Sequence, residues 1–113
     1  ENVKLYFIKP QDEETLNSPI NIKFGLIGMG VAPAGVDRKN TGHHHLLVDA
    51  KKIPNLNQPI PSDSIHIHYG GGQTETFLNL SPGVHTLQLI LGDKFHIPHY
   101  PPVISEIITV YIK

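Results

Sequence analysis

The feature that most constrains the fold of this chain is the shortness of every apolar run. Short segments rich in Val, Ile, Leu, Thr, Tyr and Phe are separated by connections that carry Gly and Pro, ten of each in 113 residues. No stretch carries apolar residues at i, i+3, i+4 and i+7 for three turns, so the chain lacks the period of an amphipathic helix and has the alternation of strands. Seven strands are predicted, near residues 4–9, 20–27, 44–49, 64–69, 75–80, 85–91 and 106–112. Turn chemistry separates them at Asn17-Ser18-Pro19, Gly70-Gly71-Gly72 and Ser81-Pro82-Gly83. About seven short antiparallel strands in a chain of this length predict an all-β fold, an immunoglobulin-like antiparallel β-sandwich forming one domain over residues 1–113. Two connections, 28–42 and 92–102, are Gly/Pro-rich and too long for simple hairpins. They are the candidate functional loops.

Composition removes several function classes. Nine Lys and Arg against ten Asp and Glu, scattered along the chain, give no electrostatic footprint for nucleic acid or anionic lipid. No apolar run approaches the roughly 18 residues of a membrane-spanning helix, which argues against membrane insertion. The absence of cysteine excludes disulfides, thiolate zinc sites and a cysteine nucleophile. Glu1 leads almost at once into a strand-like segment, from which we expect that a secretion signal once preceded it.

Eight histidines are present, and seven fall in three motifs: His43-His44-His45, His66-Ile67-His68 and His96-Ile97-Pro98-His99. Imidazole is the commonest protein metal ligand, so such clustering points to a metal site or a proton-linked switch. Strand alternation predicts how they face. With Leu46 and Val48 inward, His43 and His45 point outward and His44 joins the core; with Ile65 and Ile67 inward, His66 and His68 point outward together. Antiparallel order brings the start of the third strand, the end of the fourth and the loop after the sixth to one end of the sandwich. Met29 in the 28–42 loop belongs to the same end. The expected ligand pool is therefore His43, His45, His66, His68, His96 and His99, with Met29 as an optional soft ligand. Several imidazoles without thiolate suit copper first by affinity order, with zinc as the alternative. Asp93, then Glu75 and Asp49, are expected to accept hydrogen bonds from the ring N–H groups that do not face the metal. Plainer roles suit the rest: His85 as a hydrogen-bonded structural residue, Gly70-Gly71-Gly72 as a tight turn, and Tyr100-Pro101-Pro102 as a stiffened loop.

Four segments carry a family resemblance. They are Gly28-Met29-Gly30-Val31-Ala32-Pro33-Ala34-Gly35, Gly42-His43-His44-His45-Leu46-Leu47-Val48-Asp49, His66-Ile67-His68-Tyr69-Gly70-Gly71-Gly72-Gln73-Thr74-Glu75 and Leu91-Gly92-Asp93-Lys94-Phe95-His96-Ile97-Pro98-His99. Together they resemble the bacterial domain of unknown function 4399, whose members are typically exported; the resemblance implies a periplasmic or secreted location. It implies no catalytic residue. The expected function is a metal-binding module, for copper binding or copper delivery, whose partners are the metal ion and an envelope protein or metal acceptor. The alternative is a non-catalytic module whose loop end recognises a peptide, glycan or envelope protein. Catalysis is disfavoured, because there is no G-x-S-x-G motif and the chain does not begin with histidine. The chain is expected to be a monomer or a dimer paired through an exposed edge strand, at 4–9 or 106–112.

Overall fold

A computed structural model describes residues 2–113 and contains nine strands. They are β1 (Lys4–Lys9), β2 (Glu14–Leu16), β3 (Ile20–Ile27), β4 (Gly30–Val31), β5 (Thr41–Val48), β6 (His66–His68), β7 (Glu75–Leu78), β8 (Gly83–Gly92) and β9 (Ile108–Ile112). Among the described residues there is no helix long and apolar enough to cross a membrane. Two sheets form an all-β sandwich, in the orders β1-β3-β7 and β2-β9-β8-β5-β4, with β6 also paired to β5.

Seven of the strands match the expected segments, with shifts at their ends. The two others, β2 and β4, are additions. Each has only two or three residues, too few to show alternation, and each is held by a parallel partner: β2 by β9 and β4 by β5. These pairings make the larger sheet mixed. They also correct one expected edge, since β9 lies between β2 and β8 and its ladder is occupied on both sides. β1 is an edge strand of the smaller sheet.

The core follows from period two. Leu5 of β1 and Ile20, Ile22 and Phe24 of β3 face Leu46 and Val48 of β5, Leu87, Leu89 and Leu91 of β8, and Val110 and Ile112 of β9. Full burial of each such side chain contributes about 1.5–3 kcal/mol. The opposite face of the larger sheet is also covered: Leu47 and Ile90 pack with Ile60 from the 50–63 connection, and Ile104 lies against them. As a result every residue of β5 from Gly42 onward is buried.

The backbone of the triple histidine is held on both sides. β8 pairs along one edge, with His43 opposite Gly92 and His45 opposite Ile90. Two short strands share the other edge, β4 at Thr41 and Gly42 and β6 at His45 to Leu47. Between them the Tyr69 N–H donates to the His44 carbonyl. Side chains projecting from such a strand have little freedom to shift.

Candidate metal centre

Alternation along β5 sends His43 and His45 to the outer face of the larger sheet and His44 to the inner one. Register then selects a third ring: β6 runs antiparallel with His68 directly opposite His45, and directly opposed side chains meet at about 4.5–5.5 Å between Cβ atoms. The fourth ring comes from the loop after β8. There Asp93 closes a tight turn, with its N–H donating to the Ile97 carbonyl at 2.8 Å and its carbonyl accepting from the His96 N–H at 2.9 Å. His96 sits in the left-handed region with φ of 65°, and this turns its ring back over the sheet.

His43, His45, His68 and His96 each offer one ring nitrogen to a common point, all four atoms lying within 4.8 Å of one another. His43 Nε2 is 2.9 Å from His45 Nε2 and 3.1 Å from His96 Nδ1. The ring centroids of His68 and His96 are 4.4 Å apart, nearly perpendicular. His43 and His45 are fully buried, whereas His68 and His96 retain partial exposure. The centre thus has a closed floor on the sheet and a more open side at β6 and the loop.

Three of these rings, His43, His45 and His68, are held below the ordinary histidine range. Burial, followed by the neighbouring His68 and His96, lowers the pKa of His43 to about 4, with Asp93 acting in the opposite direction. Burial and then His43, His68 and His96 take His45 to about 3. Burial and His96 lower His68 as well. A neutral imidazole is the form that donates a lone pair to a metal.

The remaining expected ligands stand apart from the four. His66 shares the outward face but lies two residues along β6, opposite Leu47, and its Nδ1 is 2.8 Å from Asp63 Oδ1. His99 Nε2 donates to the Thr41 carbonyl at 3.1 Å. Met29 packs against the main core. Met29 and His99 both line a separate groove of about 880 Å³ beside β1 and residues 99–106. His44, as expected, is in the core, 4.8 Å from the Phe24 ring with both nitrogens lacking a partner. Burial lowers its pKa to about 4.

The three carboxylates expected to support the rings do other work. Glu75 accepts from the Asn21 side-chain amide and Asp49 pairs with His85 at 2.7 Å. Asp93 Oδ1 accepts from the Phe95 and Ile97 N–H groups. Each carboxylate is drawn to a nearby backbone or side-chain donor, and Nδ1 of His43 and of His45 is left buried without a partner.

Two glycines shape the centre: Gly92, which the sequence marks only as the start of a loop, and Gly70, for which it favours a tight turn over a close approach of ligand to backbone. A Cβ on Gly92 would lie 2.7 Å from His45 Nε2, and one on Gly70 would lie 2.4 Å from His68 Nε2. Real Cβ atoms essentially never approach so closely. Gly92 therefore leaves room for the converging nitrogens, and Gly70 lets the His68 ring fold over the turn. The available signal was the position of each glycine: Gly92 opposes a histidine across an antiparallel pair, and Gly70 follows His68 by two residues.

An all-β sandwich with four imidazoles converging beneath a loop defines a class of proteins able to hold a metal ion. Within that class the chain belongs to the family described as Domain of unknown function (DUF4399), which it matches over residues 22–113. The match begins in β3 and includes every histidine. No curated protein and no solved structure matches the chain.

Proposed function

We propose that this protein is a non-catalytic module that carries one transition-metal ion, copper in preference to zinc, on His43, His45, His68 and His96. The observation that carries this reading is the approach of one nitrogen from each ring to within 4.8 Å of the other three. A ring nitrogen has one in-plane lone pair or one N–H, so His43 Nε2 cannot make a good hydrogen bond to His45 and to His96 at once. One cation placed among the lone pairs would satisfy all of them once the outermost nitrogens, up to 4.8 Å apart, close to the roughly 4.0 Å that two metal–nitrogen bonds can span. Metal–nitrogen bonds of about 2.0 Å put neighbouring ligand atoms about 2.8 Å apart at right angles and about 3.3 Å apart in a tetrahedron. The separations of 2.9 and 3.1 Å fall in that interval. An all-nitrogen set suits copper, zinc and nickel, and copper heads the affinity order. His66, His99 and Met29 are not required. The setting we propose is exported, periplasmic or secreted, with delivery to a metal acceptor of the cell envelope.

The test is a titration of chelator-stripped protein with Cu(II), Cu(I) and Zn(II), following metal content and Tm. One ion per chain and a raised Tm are expected, since a ligand of the folded state stabilises it by mass action, about 2.7 kcal/mol at a hundredfold excess over Kd. Binding should be lost in His68→Ala and His96→Ala and retained in His66→Ala and His99→Ala. Affinity no better than that of scattered surface histidines would end the metal reading and turn attention to macromolecular ligands of the loop end.

A further inference from the structure

A metal ion held by four neutral rings keeps its full charge in a partly buried site, and that charge needs compensation. Resting on the metal reading above, we propose that Asp93 is both the positioning residue and the counter-charge of the centre, holding His96 in place and favouring a dication over a monocation.

The positioning role follows from the turn. His96 occupies a backbone region that a residue with a side chain rarely adopts, and maintaining it requires the surrounding structure to over-determine the conformation. Asp93 supplies most of that determination. Its Oδ1 accepts from the Phe95 N–H at 2.8 Å and the Ile97 N–H at 3.0 Å. Its own N–H and carbonyl bond to Ile97 and His96. Among the described residues, the one other backbone bond at His96 is its carbonyl accepting from the Ile60 N–H at 2.7 Å.

The charge role follows from location. Asp93 is next to Gly92, whose absent Cβ would lie 2.7 Å from His45 Nε2 and 3.4 Å from His96 Cα, so Asp93 leaves the strand at the wall of the centre. Other carboxylates are committed elsewhere: Asp63 to His66, Asp49 to His85, Glu75 to Asn21 and Asp37 to Lys94. Asp93 accepts no ring N–H from the four histidines, which separates its role from the usual carboxylate–histidine–metal relay. Its influence on the ion acts through space and through the turn.

Asn and Ala at this position divide the two roles. Asp93→Asn keeps a side-chain oxygen for the Phe95 and Ile97 N–H groups and removes the charge; Asp93→Ala removes both. Dissociation constants of the full chain for Cu(II), Zn(II) and Cu(I) are measured by chelator competition, with the Cu(II)/Cu(I) potential alongside. In Asp93→Asn the Kd values for Cu(II) and Zn(II) should rise about 10–100-fold, and that for Cu(I) distinctly less. The potential then rises by about 59 mV for each tenfold difference between the two oxidation states. In Asp93→Ala all three ions should weaken further as the turn is lost. An Asp93→Asn protein matching the wild type, or one in which Cu(I) and Cu(II) weaken equally, would overturn the counter-charge role. Wild-type protein that binds none of the ions overturns the metal reading beneath it.

Discussion

The two ends of β5 treat histidine in opposite ways. At its start, four rings face one another with no hydrogen-bonded carboxylate among them. Just past its end, His85 lies between two acceptors, with Nδ1 2.7 Å from Asp49 Oδ2 and Nε2 2.7 Å from the Ser81 carbonyl. Burial lowers the pKa of His85, but Asp49 and the Ser81 carbonyl outweigh it and raise it overall. His85 is therefore a satisfied structural residue suited to carrying a proton, whereas His43, His45 and His68 are held neutral, each with a buried nitrogen that lacks a partner. Residue type is the same at both ends; the acceptors within reach decide what each ring can do.

The strongest way to break this contrast is to fill the space on which the centre depends. Gly92→Ala puts a methyl group 2.7 Å from His45 Nε2. Metal affinity should fall by at least about 100-fold, and overpacking should cost about 1–3 kcal/mol in denaturant unfolding. Wild-type affinity in this variant would show that crowding of the rings does not define the site.

Acid should destabilise the metal-free protein through the neutral rings. The pKa values of His43, His44 and His45 lie near 4, 4 and 3 in the folded chain and near 6.5 when free. Below pH 6.5 the unfolded chain therefore binds more protons than the folded one, and the stability present above that pH is lost as pH falls toward 4. The loss should be on the order of a few kcal/mol, read from urea midpoints between pH 7 and 4. His44→Leu sharpens the comparison, because it removes a buried ring with two unpartnered nitrogens and leaves the four converging ones alone. We expect a shallower acid slope and unchanged metal stoichiometry; an unaltered slope would exclude His44 as a contributor.

The smallest effect belongs to His85, and its sign is reversed. A raised folded pKa contributes stability that is complete below pH 6.5 and lost as pH climbs through the folded value. Removing the pair by His85→Leu should cost about 1 kcal/mol near pH 6, allowing for the partial exposure of Asp49, and less near pH 9. Equal costs at the two pH values would mean that the Asp49 charge is not felt.

Much of the candidate site was legible in the chain because β-structure has a period of two. Alternation assigned His43 and His45 to one face and His44 to the other, and antiparallel order brought the three motifs to one end. It could not rank His66 against His68, since both point outward; the register opposite β5 does so, two residues along the strand changing the neighbour from His45 to Leu47. Within the third motif the turn closed by Asp93 brings in His96, and His99 goes to the Thr41 carbonyl instead. β2 and β4 escaped notice because parallel partners distant in sequence hold them and their own few residues do not.

The sequence by itself determined the all-β class, the outward and inward sets of histidines and the absence of thiolate. These depend on side-chain type and on a local repeat that every strand shares. Only the tertiary structure decided which four rings meet, which carboxylates are already engaged, and that glycine at 92 and 70 leaves space for the nitrogens. Those outcomes depend on register and on loop closure between residues far apart in the chain, where a shift of two positions exchanges one neighbour for another.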